Sequence, residues 1–313
     1  MKRPPTKRSG WIDLDGPVHY LDFGGPARGP LIVCVHGLGG SALNWSAVAP
    51  LLTSRCRLVA PDLAGHGLTQ SLGRGTDVAA NRVLLHRFLG AFASGPVILM
   101  GNSMGGMISL LEAAAAPENV TGLILLDPAL PFVPARLDPW VTAMFALYAT
   151  PGLGRLVMDH RRMSAEEAVA TVLSVCCADP SRVDPDLVAE HVEQVRLRAA
   201  FDGARDDFIS AMRSVVVTAG DLWRQAYRRG VQSVACPVLL VHGERDRLVP
   251  VSAARGAAKA NPSWSLVELP EVGHVPQLEA PKETAAAINR WLRSEGQQAA
   301  KLATRSLIQG WVA

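Results

Sequence analysis

The stretch Val97-Ile98-Leu99-Met100-Gly101-Asn102-Ser103-Met104-Gly105-Gly106-Met107-Ile108 changes its hydrophobic period at Ser103. Val97 to Met100 are continuously apolar, as a strand covered on both faces requires. From Met104 onward, Met104, Met107, Ile108 and Leu111 fall at i, i+3, i+4 and i+7, the period of a helix. The junction reads G-x-S-x-G. A serine there sits on a tight strand-to-helix turn that exposes its hydroxyl, with the positive end of a helix beneath it. The competing reading is a serine that only caps the helix.

Outward from this junction the same alternation repeats. Val18–Phe23, Leu31–Val35, Arg57–Ala60, Leu123–Leu126, Val238–Val241 and Trp264–Leu269 read as further strands. Between strands, Leu85, Phe88, Leu89 and Phe92 keep the helical spacing. Strand, helix, strand in alternation predicts an α/β fold with a doubly wound, mostly parallel sheet. Between Pro131 and Ser233 the alternation stops and only helical patterns remain. Asp138-Pro139 opens one helix with Val141, Met144, Phe145 and Tyr148 on one face. Ser164 and Glu167 form a capping-box pattern, Asp184-Pro185 opens a third helix, and Phe208, Met212 and Val215 mark a fourth. Residues 131–233 are therefore expected to be a helical cap inserted into a core of residues 11–130 and 234–296. A simple helical layer on the sheet is the alternative. Residues 297–313 read as a C-terminal tail, with weak apolar marks at Leu302, Leu307, Ile308 and Trp311 that allow a loose extra helix.

Composition narrows the function. The 313 residues are 49% hydrophobic and 19% charged, enough for a sizeable core. The net charge of +3 gives no basic face of the kind nucleic-acid binding needs. The one basic cluster, Lys2, Arg3, Lys7 and Arg8, reads as a disordered tail over residues 1–10, with weak peripheral contact to acidic lipid as a second reading. No apolar run is long enough to span a membrane and no secretory leader is evident. The cysteines Cys34, Cys56, Cys176, Cys177 and Cys236 are odd in number and match no metal-site spacing, which points to a reducing, cytoplasmic setting.

A serine hydroxyl is a weak nucleophile and needs a base, and the base needs an orienting carboxylate. His274, in Gly273-His274-Val275-Pro276 after the last strand, is the best placed histidine. The others lie in strands, at strand ends, in a glycine loop or on helix faces; His36 and His66 read as structural. Asp246, just past the Val238–Val241 strand, is the favoured acid. Asp127, at the end of an earlier strand, is its rival, and Glu244 is a weaker one.

The ordered landmarks His36-Gly37-Leu38-Gly39-Gly40, Pro61-Asp62-Leu63-Ala64-Gly65-His66-Gly67, the Ser103 junction, Gly243-Glu244-Arg245-Asp246 and Gly273-His274 together resemble the α/β-hydrolase superfamily. The order Ser, Asp, His is that superfamily's order. The resemblance covers about Trp11 to Leu292. It implies a triad of Ser103, Asp246 and His274, and an oxyanion hole from the backbone N–H groups of Leu38 and Met104. It implies no metal and no organic cofactor.

Within the superfamily, epoxide hydrolases and haloalkane dehalogenases carry an aspartate where Ser103 stands, and are set aside. The elbow Gly101-Asn102-Ser103-Met104-Gly105-Gly106 is similar to that of carbon–carbon (meta-cleavage-product) hydrolases. Those carry Pro-Gly in the oxyanion loop and a tryptophan after the histidine, where this chain has Leu38-Gly39-Gly40-Ser41 and Val275. Both departures favour a lipase-like carboxylesterase acting on a small apolar ester through an acyl-enzyme. Thioesterase or acyltransferase chemistry is a further alternative, and a non-catalytic binding protein the least favoured one. Trp140, Met144, Phe145, Tyr148 and Val275 are the expected walls of the acyl pocket, the competing reading being that they form only the cap's own core.

Overall fold

The computed structural model describes residues 7–131, 139–150, 152–160 and 163–303. Within these, Arg8–Asp13 (β1), Pro17–Gly24 (β2), Leu31–Val35 (β3), Arg57–Pro61 (β4), Val97–Asn102 (β5), Val120–Leu126 (β6), Val238–Gly243 (β7) and Ser265–Leu269 (β8) form one sheet in the order β1-β2-β4-β3-β5-β6-β7-β8. β1 and β2 run antiparallel to their neighbours; the pairs from β4 through β8 are parallel. Helices Ala49–Leu52 (α1), Val78–Phe92 (α2) and Met104–Ala115 (α3) alternate with the central strands. Pro139–Ala149 (α4), Leu153–His160 (α5), Ala165–Cys176 (α6), Pro185–Arg198 (α7), Ala204–Ala219 (α8) and Asp221–Gln232 (α9) lie between β6 and β7. Val251–Ala260 (α10), Pro276–Glu279 (α11), Pro281–Trp291 (α12) and Gln297–Ala303 (α13) follow.

The strands are apolar on both faces because each face has its own core. Val33, Val35, Leu99, Leu123, Leu125 and Leu240 pack with Leu85 and Phe88 of α2 and Met104 and Ile108 of α3. The alternate residues Ile32, Cys34, Ile98, Met100, Ile124 and Val241 pack with Leu52, Ile288 and Trp291 on the other side. Each such fully buried aliphatic side chain contributes about 1.5–3 kcal/mol. β4 lies on one side of β3 and β5 on the other, so the chain reverses direction across the sheet between them. The crevice at the carboxyl ends of β3 and β5 is where an open α/β sheet binds ligands.

The local signals between β6 and β7 act as expected. Ser164 accepts from Glu167 N–H while the Glu167 carboxylate accepts from Ser164 N–H, and Asp184 caps α7 ahead of Pro185. Asp138, Arg136, Arg161, Arg162 and the residues after Ala303 lie outside the described residues.

Two expectations at the chain ends need correction. Arg8–Gly10 are not part of a disordered tail: they open β1, and Trp11 and Ile12 continue its pairing with His19 and Val18 of β2. Lys7 pairs with Glu190 of α7. The stretch beginning at Gln297 follows the extra-helix reading (α13), but that helix is not loose. Ala299 and Ala303 are buried in the same core as Trp291, and the Ala299 carbonyl accepts from the Thr121 hydroxyl at 3.1 Å.

Candidate active site

Ser103 leaves β5 and enters α3 at φ +53°, ψ −118°, and its side chain makes no capping hydrogen bond to the helix. The reading of Ser103 as a mere helix cap therefore fails: the hydroxyl is not spent on α3. The positive φ is a strained conformation for a residue with a Cβ. It is held because both flanking glycines meet backbone. A Cβ at Gly105 would lie 2.0 Å from the Val35 carbonyl oxygen, and one at Gly101 2.5 Å from the Gly105 carbonyl oxygen. Gly37 passes so close that a Cβ there would stand 3.1 Å from the Ser103 Cβ. The loop after β3 and the serine are thus neighbours. Met104 is the first residue of α3, where N–H groups have no intrahelical acceptor.

His274 and Asp246 are brought together: Nδ1 of His274 lies 2.7 Å from Oδ2 of Asp246, both side chains buried. The Asp246 Oδ1 accepts from Leu248 N–H at 2.8 Å and Val249 N–H at 3.0 Å. Burial opposes the ionisation of Asp246. The His274 ring, His242 and the Val249 N–H outweigh it, so the carboxyl is held below its usual range. An ionised Asp246 can only accept, so the proton of the shared contact sits on Nδ1 and the Nε2 lone pair is free for a hydroxyl.

Three residues that sequence reasoning passed over lock this geometry. The Asn102 amide donates to the carbonyls of Leu126 and His274, both at 3.0 Å, tying the elbow to the histidine loop. Buried Glu279 accepts from Gly273 N–H at 2.8 Å, and from Ala178 and Asp179 N–H at 3.1 and 2.8 Å, joining that loop to the end of α6. Phe208 of α8 lies over the glycine loop after β3, 3.1 Å from where a Cβ on Gly39 would be. Asn102 stood inside the G-x-S-x-G motif, whereas Glu279 lies beyond the Gly273-His274-Val275-Pro276 segment and carried no signal of its own. Phe208 had only a helical-face signal.

His36 and His66 are structural, as expected. His36 donates from Nδ1 to the Gly37 carbonyl at 2.8 Å and accepts from Leu63 N–H at 3.0 Å, linking the loops after β3 and β4. Burial lowers both histidines' pKa values, that of His66 to about 3, with His36 adding to the effect. Asp62 organises the same region by accepting from His19, Ala42 N–H and Leu68 N–H.

The expected pocket residues divide. Val275 is buried, packed with Cys177, Val183 and Leu278 in a small cluster that joins the histidine loop to the segment after α6. Met144, Phe145 and Tyr148 are half-buried on α4, which packs against α5 and α8. Trp140 lies on the same helix, and its side chain lies outside those described. The five cysteines are free thiols. Among the described residues, one group of potential metal ligands gathers within 4.8 Å: Asp127, Asp246 and His274. A cation there would have to displace the hydrogen bond that Asp246 and His274 make with each other. No described helix is long and apolar enough to cross a membrane.

The model of the Alpha/beta hydrolase family matches residues 32–287, and the chain belongs to that family. It is 28% identical over 285 residues to the dihydrolipoyllysine-residue acetyltransferase component of an acetoin cleaving system from Pseudomonas putida, spanning 88% of this chain and 66% of that one. It is 27% identical over 271 residues to a pimeloyl-[acyl-carrier protein] methyl ester esterase of Aromatoleum aromaticum, spanning 84% of this chain and 98% of the esterase. Among solved structures, Cfl2 from Burkholderia cenocepacia superposes with a TM-score of 0.76 at 25% identity, over 93% of this chain and 97% of that one.

Proposed function

We propose that the chain is a serine carboxylesterase in which Ser103 is the nucleophile, His274 the base and Asp246 the acid that orients it. The observation that carries this reading is the 2.7 Å Asp246–His274 contact beside an uncapped serine at φ +53°. The esterase likeness reported above supports it. Ser103 Oγ attacks the ester carbonyl and gives its proton to Nε2 of His274. Asp246 stabilises the imidazolium. The N–H groups of Leu38 and Met104 receive the oxyanion, an interaction whose loss typically costs ~10²–10³ in rate. The tetrahedral intermediate collapses, the alcohol leaves with the proton from His274, and water then hydrolyses the acyl-enzyme by the same route.

In this reading residues 131–233 act as the cap. The acyl chain lies between the oxyanion loop and α8, with Phe208 and the α4 residues Trp140, Met144, Phe145 and Tyr148 as its walls. The substrate is a small, uncharged apolar ester, and the free thiols agree with a cytoplasmic location. p-Nitrophenyl esters from acetate to laurate test the reading. Each methylene buried in the transition state should raise kcat/KM by at most about fourfold, equivalent to ~0.8 kcal/mol, up to a maximum at intermediate length. No ester turnover, with rapid cleavage of a vinylogous diketone acid, would assign the carbon–carbon chemistry suggested by the Asn102-Ser103-Met104 elbow. Failure of Ser103 to react with a fluorophosphonate would overturn both.

A further inference from the structure

A second carboxyl stands behind the Asp246–His274 pair, and the mechanism above does not use it. Asp127 follows β6 and is fully buried, with a positive φ of +45°. Its N–H donates to the Val241 carbonyl at 3.0 Å, and its Oδ1 accepts from Gly243 N–H at 2.9 Å. Its Oδ2 is buried without a hydrogen-bond partner. An oxygen of Asp127, an oxygen of Asp246 and a ring nitrogen of His274 all lie within 4.8 Å of one another. His242 does not supply the missing donor. Its Nε2 stands 3.5 Å from an oxygen of each aspartate but is directed at the Val249 carbonyl, 2.7 Å away.

Two carboxylates this close, both buried, cannot both be ionised. The hydrogen-bond donors decide which one keeps the charge. Asp246 receives two backbone N–H groups and the His274 Nδ1–H. Asp127 receives one backbone N–H. We infer that Asp127 carries a proton on Oδ2 and donates it to Asp246, so that the pair holds one negative charge, and that Asp127 becomes the orienting acid for His274 when Asp246 is neutralised. The inference rests on the reading of Ser103, His274 and Asp246 as the triad. In the native enzyme Asp127 is a positioning residue, acting through Asp246.

The charged and titratable groups facing Asp127 are Asp246, Glu279, His242 and His274. Burial, and then the negative charge of Asp246, push Asp127 well above the usual carboxyl range; Glu279 pushes the same way. Burial keeps His242 neutral at ordinary pH, so no cation offsets these effects. A proton on Oδ2 also gives that orphaned atom an acceptor to donate to. Replacing Asp246 by asparagine removes the like charge. The Asp127 proton then passes to solvent, and the new carboxylate faces the imidazole.

The test is a double-mutant cycle on kcat/KM with Asp127→Asn, Asp246→Asn and the pair. Asp127→Asn alone should cost clearly less than it does in the Asp246→Asn background, because the amide keeps a neutral donor to Asp246. Asp246→Asn should lose about 10³-fold, somewhat less than a triad that has no second acid. Adding Asp127→Asn to Asp246→Asn should cost about tenfold more. A purely structural Asp127 would cost the same factor in both backgrounds, and that result overturns the proposal. So does an Asp246→Asn enzyme no more active than the double variant. Carbon-13 spectra of wild-type protein labelled at the aspartate carboxyls give a readout that needs no variant: one buried carboxyl should remain protonated at neutral pH, and finding every one ionised refutes the shared charge. A failed triad assignment shows itself separately, as undiminished turnover in Ser103→Ala.

Discussion

The side-chain amide of Asn102 donates to the backbone carbonyl of His274 at 3.0 Å, across 172 positions of sequence. The residue before the elbow serine thus sets where the histidine loop lies. Asn102 is buried and splits its amide between this bond and the Leu126 carbonyl. Asn102→Ala would leave the His274 carbonyl unsatisfied, at about 1–3 kcal/mol if water cannot reach it, while the Leu126 carbonyl keeps the Ser103 N–H at 3.1 Å. We expect kcat to fall by at least about tenfold, since a loosened base is no longer held in attacking geometry. Steady-state kinetics check this. Unchanged kcat with a lowered melting temperature would reduce Asn102 to a structural role.

Ser103→Ala and His274→Ala should each remove about 10⁴–10⁶-fold in kcat, and the double variant should be little worse than either, because the residues act as one unit. Fluorophosphonate labelling of wild type, and its loss in Ser103→Ala, provides an independent check. Additive losses would mean that the two residues do not share a step.

Glu279 holds three backbone N–H groups, from Gly273, Ala178 and Asp179. Glu279→Ala should destabilise the protein by about 3 kcal/mol or more, since buried donors lose a charged acceptor. Hydrogen exchange should speed up first at those three amides. Equal acceleration throughout the sheet would show that the carboxylate does not act locally.

Buried histidines make the fold acid-sensitive in a defined window. His66 titrates at about 3 in the folded chain, while an unfolded histidine titrates near 6.5. The folded-state value is depressed, so the unfolded chain binds more protons below pH ~6.5 and stability falls as pH falls from there toward 3. The full effect of His66 alone is on the order of 5 kcal/mol. His36, His191 and His242 are shifted in the same direction by burial. His66→Gln should flatten the dependence of unfolding free energy on pH between about 6.5 and 4, measured by denaturant titration. An unaltered slope would mean that His66 protonates in the fold.

What the sequence determined by itself was whatever repeats locally. The strand cores were legible because a sheet buried on both faces demands unbroken apolar runs, and the elbow because a strand period meets a helix period at Ser103. The caps at Ser164 and Asp184 are interactions within one turn, so they too were readable. β1 was not, because Arg8-Ser9-Gly10-Trp11-Ile12-Asp13 is an edge strand with exposed side chains, and only its pairing with β2 makes it a strand. α13 was legible only as a tail or a loose helix because its buried residues are alanines, which carry little hydrophobic signal and reach the core only where Thr121 and Trp291 receive them. Val275 sits beside the histidine in sequence, and only the fold shows that it is buried against Cys177 and Val183 from the segment after α6. Most of all, two strand-end aspartates competed for the acid's place, with Asp246 favoured over Asp127 by its position alone. Asp127 turns at φ +45° toward Gly243, while Asp246 is carried past the end of β7 to within 2.7 Å of His274. Which carboxyl meets the imidazole is a matter of how two loops leave neighbouring strands, and that is settled only when the sheet brings β6 and β7 side by side.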